Sequence, residues 1–264
     1  MVRSTADSDA RPSNEAQRLS PSYRLPALDE AFITGDSMRG VRFLLEYAKA
    51  EEALRAWGVR STIVVFGSAR VGEFGDGPGP AWYREARRFG RLASERSGAV
   101  FADADGQRDN VIATGGGPGI MEAANRGAAD AGAPTIGFNI TLPREQPNPY
   151  TTPDLTFSFH YFAMRKMHFA MRANALVVFP GGFGTFDELF EILTLRQTGK
   201  SPRLPVVLVD EAYWRSVVKF EILVQEGMIA REDLDLFAFA ETAEAIWSKL
   251  LEDGLVIRGR PPTP

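Results

Sequence analysis

The chain contains no cysteine, so disulfides, thiolate catalysis and cysteine-ligated metals are excluded. It has only two histidines, His160 and His168, with no clustered ligand spacing around them, and no metal or other cofactor is expected. His168 reads as a polar helix residue rather than a ligand. Lysines are also few (Lys49, Lys166, Lys200, Lys219, Lys249), and none sits in a pyridoxal-phosphate context. Positive charge is not in excess. A net charge of −4 argues against a nucleic-acid surface, which should be basic. No apolar run approaches membrane-spanning length, so no membrane partner is expected. The polar stretch Met1 to Asn14 lacks the apolar core of a signal peptide, which makes a cytoplasmic location the expectation. No internal repeat is visible.

What is present suits one α/β domain with a terminal extension: 264 residues, 44% of them hydrophobic. Residues 1–35 are rich in Ser, Pro, Ala and Asp and read as a flexible or surface-hugging arm. Residues 36–58 read as an N-terminal helix, with Asp36-Ser37 as its cap and Gly58 as its stop. Its broad apolar stripe, Phe43 to Trp57, should pack on the main domain or on a partner subunit. Residues 59–254 form the main domain and 255–264 a tail.

Strand and helix patterns alternate through the main domain. Strands are expected near 62–66, 110–113, 134–138, 155–159, 175–179, 205–209 and 236–240. Helices are expected near 81–96, 119–131, 161–173, 185–198, 212–225 and 241–252. The runs Ile63 to Phe66, Leu176 to Phe179 and Val206 to Val209 are apolar throughout, as in parallel strands buried on both faces. The implied fold is a Rossmann-like, doubly wound, mostly parallel sheet with helices on both faces. Two long stretches, Gly72 to Pro80 and Leu142 to Pro153, read as lids or partner contacts. Asp103 to Asp109 reads as a polar surface insertion.

Three strand ends carry glycine-rich turns. Pro180-Gly181-Gly182-Phe183-Gly184-Thr185-Phe186-Asp187-Glu188 follows one apolar strand and opens a helix. Such a turn points bare N–H groups at its occupant, and the helix dipole favours an anion there. Glu188 falls about one turn inside the helix, an acid beside a phosphate-binding turn. The same residues also fit a capping box, Thr185-x-x-Glu188, in which both side chains serve orphan amides. The second turn is Thr114-Gly115-Gly116-Gly117-Pro118-Gly119, and the third is Gly67-Ser68-Ala69-Arg70. Three such turns can converge at the carboxyl edge of one sheet, where open α/β sheets bind ligands.

Other motifs fail. Gly199-Lys200-Ser201 lacks the upstream glycine of a P-loop and follows a helix. Gly115-x-Gly117 leads to Ile120 where a dinucleotide fingerprint needs Gly or Ala. In the helix near 161–173, Met164, Met167 and Met171 form a stripe that reads as core. Arg165, His168 and Arg172 share the spacing on a neighbouring face, which reads as solvated.

Taken together, Gly115 to Asn125, Met164-Arg165-Lys166 and Pro180 to Glu188 resemble the LOG (LONELY GUY) family, over roughly Ser61 to Leu251. Its members are cytokinin riboside 5′-monophosphate phosphoribohydrolases, and many bacterial ones also hydrolyse AMP. The arm and N-terminal helix resemble the longer bacterial subgroup, which implies a homo-oligomer, a dimer or a dimer-based assembly. The resemblance implies Arg165 and Glu188 as the catalytic pair. It implies that Gly181, Gly182, Gly184 and Thr185 hold the 5′-phosphate. Gly67, Ser68, the turn Gly115, Gly116, Gly117 and Gly119, and Met164 and Lys166 would complete the nucleotide pocket. The chain departs from the family at Ala69, where many members have serine. The implied reaction splits the N-glycosidic bond of a purine nucleoside 5′-monophosphate into base and ribose 5-phosphate. The rival reading is a carrier or sensor of a phosphorylated nucleotide-like cofactor, because molybdenum-cofactor carriers have similar glycine turns.

Overall fold

The structure, a computed structural model, describes residues 12–142, 146–201 and 203–258. Parts of the arm, of the Leu142 to Pro153 stretch and of the tail therefore lie outside the described residues. The chain divides between Leu45 and Glu46 into two compact units. In the first, α1 (Glu15–Leu19) and α2 (Glu30–Thr34) are short, and Asp29 caps α2 by accepting from the Phe32 N–H. The helix α3 (Arg39–Ala56) runs across the division. Its expected cap is different. Asp36–Met38 forms a 3-10 turn behind Gly35, and the Asp36 carboxylate pairs with Arg39 instead of capping. Gly58, at φ +66°, ends the helix as expected.

The second unit alternates β1 (Thr62–Phe66), α4 (Gly79–Arg96), β2 (Val111–Thr114), α5 (Ile120–Asp130), β3 (Thr135–Ile140), β4 (Thr156–Phe159), α6 (Phe162–Arg172), β5 (Ala173–Val178), α7 (Phe183–Gln197), β6 (Val206–Val209), α8 (Glu211–Val217), α9 (Phe220–Gln225), β7 (Ala238–Ala240) and α10 (Ala243–Glu252). One expected helix, 212–225, is two, because Val218 is extended between α8 and α9. The seven strands form one sheet in the order β4-β3-β2-β1-β5-β6-β7, with every pairing parallel. The direction of winding reverses between β1 and β5, and the carboxyl ends there frame the crevice of a Rossmann-like sheet.

Each central strand is apolar throughout because both of its faces are covered. Val64, Phe66, Leu176, Val178, Val206 and Leu208 face a layer that includes Leu54, Phe169, Leu189 and Trp214 from α3, α6, α7 and α8. Ile63, Val65, Ala175, Val177, Val207 and Val209 face a layer with Phe89, Ile120, Ile246 and Trp247 from α4, α5 and α10. The two-residue side-chain period of a strand divides them.

The stretches read as a lid or partner contact, an insertion and a tail make specific contacts. Glu73 in the Gly72 to Pro80 segment accepts from Arg126 at 2.8 Å. Asp103 to Asp109 leads into β2: Arg60 pairs with Asp103 at 3.0 Å and with Asp109 at 2.5 Å, and Val59 bridges Arg108. Of the tail, Leu255 is buried, and the Val256 carbonyl accepts from Asn110 and Asn174. Among the described residues, no helix is long and apolar enough to cross a membrane.

The helices α4 and α5 meet backbone to backbone. A Cβ on Gly90 would strike the Ala124 carbonyl oxygen, and one on Gly127 would strike that of Arg87. Gly90→Ala is expected to lower stability by about 1–3 kcal/mol, the usual cost of overpacking. Urea unfolding measures it, and an unchanged midpoint would contradict this packing.

Candidate active site

Ser68 joins the three glycine turns. Its N–H donates to the Pro180 carbonyl (3.0 Å), and its own carbonyl accepts from the Ile120 N–H (3.1 Å). One residue thereby ties the turn after β1 to those after β5 and β2. Gly119 permits the approach. It has φ +75°, and a Cβ there would strike the Ser68 carbonyl oxygen. The second turn is also held from below. Asn148 is buried. Its N–H donates to the Gly116 carbonyl (2.8 Å), and its side-chain amide donates to Gly117 (3.0 Å) and to Asn125 (3.0 Å). The long segment carrying Asn148 therefore braces this turn. The Tyr213 hydroxyl donates to the Gly181 carbonyl at 2.6 Å and steadies the turn after β5.

Around these turns lies a cleft of about 690 Å³. Gly67, Ser68, Gly115, Arg165, Gly182, Gly184, Thr185 and Glu188 line it. Gly116, Gly117, Gly119, Gly181, Met164 and Lys166 do not belong to that lining, and the glycines among them shape the turns behind it. Met164 packs against the core layer of α6 and α7. Lys166 pairs with Asp187 (2.8 Å) and Glu191 (2.9 Å) on the flank of α7.

The capping box is not formed. The helix α7 starts at Phe183, its N-cap is Gly182, and no side chain caps it. Thr185 is therefore its third residue and Glu188 its sixth. With a glycine at the cap, the first amides of α7 open towards the cleft.

Glu188 reaches Arg165 instead, with Nη2 donating to Oε1 at 3.1 Å. The carboxylate side chain is 4% exposed and the guanidinium 12%. The Arg165 guanidinium also stands over the Phe162 ring at 4.9 Å. Burial pushes the Glu188 carboxyl up to about 7, against the attraction of Arg165 and Lys166 and with some help from Glu191 and Asp187. Among the described residues, no group of three His, Asp or Glu could hold a metal ion.

The faces of α6 differ from the sequence expectation except at Met164, which packs on the core as expected. Met167 and Met171 are exposed, at 43% and 49%, while Arg165 and Arg172 turn inward and His168 is fully buried. The cations point in because acids await them there, Glu188 for Arg165 and Glu51 for Arg172 (2.8 Å). His168 is buried among the rings of Tyr47, Phe138 and Phe159.

Several lining residues were not among the expected site residues. Arg70 adds a cation at the cleft, and Phe162, Phe183, Met121, Ile140 and Leu142 give it an apolar wall. Phe183 is 95% exposed. Arg70 was accessible to sequence reasoning, since it closes a turn at a strand's carboxyl end. The apolar residues carry no such signal.

Residues 121–250 match the family described as Possible lysine decarboxylase. The chain is 28% identical over 146 residues to the cytokinin riboside 5′-monophosphate phosphoribohydrolase LOG3 of Arabidopsis thaliana, covering 54% of this chain and 67% of that one. Among solved structures, an X-ray structure of a Northeast Structural Genomics Consortium target superposes at a TM-score of 0.51 and 20% identity, over 73% of this chain and 99% of that chain. That likeness concerns the fold. A molybdenum cofactor binding protein from the phototrophic bacterium Rippkaea orientalis superposes at 0.46 and 20% identity, over 75% of this chain and 99% of the other, too loosely to bear on function. The decarboxylase description has no counterpart in the site. Lys166 is held above its ordinary value, burial being outweighed by its acidic partners, whereas an amine nucleophile needs the opposite shift.

A carboxyl raised from 4.5 to about 7 binds its proton more tightly in the folded chain. Its contribution to stability is present below pH 4.5 and is lost as pH rises to about 7, by about 3 kcal/mol in all. Glu188→Gln removes that dependence. Relative to wild type, the variant should gain stability between pH 5 and pH 8. Parallel urea unfolding at the two pH values measures the difference, and a constant difference would refute the raised carboxyl.

Proposed function

We propose that this chain, a relative of the LOG family, hydrolyses the N-glycosidic bond of a purine nucleoside 5′-monophosphate, AMP or a cytokinin riboside monophosphate. The products are the free base and ribose 5-phosphate. The observation that carries this reading is the buried Arg165–Glu188 pair in the same cleft as the uncapped start of α7. An anion site and a desolvated carboxylate lie side by side, as a phosphorylated sugar with a cationic transition state requires.

In this reading the 5′-phosphate sits on the amides at Gly182 to Gly184, with Thr185 beside it and Arg70 as a further cation. The phosphate then supplies remote binding energy that places the ribose over Glu188. Loss of the base leaves an oxocarbenium-like sugar. Ionised Glu188 stabilises that charge and orients the attacking water. In a dry site such an electrostatic contribution is typically worth about 2.7–4 kcal/mol. Arg165 favours the ionised form of Glu188 against the effect of burial and aims it. It is not a base, since a guanidinium stays protonated. The apolar wall of Phe162 and Phe183 suits the flat face of a purine. Pairing of copies through the N-terminal helix belongs to the same proposal, and light scattering at micromolar concentration should find at least a dimer.

Three outcomes are expected. AMP should be cleaved far faster than adenosine, as measured by released adenine, and equal rates would sink the phosphate site. The kcat/KM for AMP should rise with pH through about 7, as Glu188 ionises. A falling limb there would make the protonated form the active one. Glu188→Gln should keep AMP affinity while kcat drops by about two orders of magnitude or more. Binding of AMP by wild type without any adenine release would instead make the chain a carrier or sensor.

A further inference from the structure

The helix that carries Arg165 has no N-cap of its own. Tyr161 occupies the cap position, and no side chain of the local segment accepts from the first turn of α6. The two residues that lead into α6 are held from α3 instead. Both oxygens of Glu46 are used, Oε1 accepting from the His160 N–H at 2.9 Å and Oε2 from the Tyr161 N–H at 3.2 Å. The Tyr161 carbonyl in turn accepts from the Arg165 N–H at 3.3 Å. Two hydrogen bonds and the backbone of one residue, Tyr161, thus link the Glu46 carboxylate to the backbone of Arg165.

The same helix holds α6 at two further points. Tyr47 stacks on His168 with ring centroids 5.4 Å apart, and Glu51 takes the Arg172 guanidinium at 2.8 Å. The start, middle and end of α6 are therefore each fixed by consecutive turns of α3. A carboxylate at the start of α6 also matches the helix dipole, which favours negative charge there. All of α3 lies outside residues 121–250, the span that matches the family.

We propose that Glu46 is a positioning residue for the reaction, acting through the first turn of α6 to hold the Arg165 guanidinium against Glu188. The proposal rests on the hydrolase reading above, and it adds a requirement that the glycine motifs do not contain. The expected loss is in kcat, because a small displacement of a catalytic group costs rate more than affinity. A second consequence comes from charge. The groups that bear on Glu188 are Arg165, Lys166, Asp187 and Glu191, and Arg165 is the foremost of the two cations. If Arg165 drifts, Glu188 should ionise only at higher pH.

The test compares wild type, Glu46→Ala and Glu46→Gln, with AMP as substrate across pH 5.5 to 9. Glu46→Ala is expected to lower kcat by about tenfold or more with little change in KM. It should also move the acidic limb of kcat/KM upward. Glu46→Gln keeps one acceptor and should recover part of both. Arg165→Ala with and without Glu46→Ala completes a cycle, and the second change should then cost almost nothing. Wild-type kcat and an unmoved limb in Glu46→Ala would overturn the proposal, as would full additivity with Arg165→Ala. Should wild type release no base from any nucleotide, the hydrolase reading fails by itself. The carboxyl carbon of Glu188, followed by NMR titration, still decides the positioning claim. An upward shift in Glu46→Ala supports it, and an unchanged midpoint overturns it.

Discussion

The arrangement of the cleft depends on the backbone of one residue, Ser68. The two sides of Ser68 bond to different turns, its N–H to the turn after β5 and its carbonyl to the turn after β2. Parallel pairing brings the strand ends near one another but does not set the spacing of the turns beyond them. The Ser68 bonds set it, and Gly119 admits them because any side chain there would collide. The uncapped start of α7, the apolar wall and the carboxylate then share one cleft. Outside this locked arrangement, an uncapped helix start would bind water as readily as a phosphate.

Inside the cleft, the Arg165–Glu188 pair shows the cost of burying charge. Removing a carboxylate from water is costly, and a single partner at 3.1 Å does not fully offset it. The upward shift of the Glu188 carboxyl expresses the deficit. A more generous set of donors would stabilise the anion and lower that shift. The pair is therefore tuned by what surrounds it: Lys166 adds attraction, and Asp187 and Glu191 subtract from it. The guanidinium rides on α6, which α3 contacts through Glu46, Tyr47 and Glu51.

Much of the fold could be read from the amino-acid order. Continuous apolar strands, alternating helices and three glycine turns were enough for a doubly wound sheet, and the structure has all seven strands in parallel. The convergence of Gly67, Ser68, Gly115, Gly182 and Glu188 came from the same pattern. The orientation of α6 did not. Its methionines and its cations each fit a helical stripe, and residue type assigns methionine to the interior. What decides the matter is Glu51 and Glu188, which lie far away in sequence and meet the cations only after folding. The capping-box alternative at Thr185-x-x-Glu188 is absent for a related reason. The spacing of a capping box is present, but the glycine at 182 lets the helix begin earlier and leaves both residues free for other work. Asn148 was hidden because an asparagine in a proline-rich segment looks like a turn residue until its partners are seen.

The division of strand side chains between two layers has a practical corollary. The charged pair belongs to α6 and α7, on one side of the sheet, whereas α4 and α10 on the other side supply no residue to the cleft and α5 supplies only Met121. The sheet acts as a partition. Packing can be changed on the α4 and α10 side, around Phe89 and Ile246, with the cleft left undisturbed. On the proposed reading, selectivity for the base would be altered on the opposite side at Phe162 or Phe183, the latter so exposed that its replacement leaves the core intact. Core packing and the wall of the cleft thus sit on separate faces of one sheet and can be varied independently.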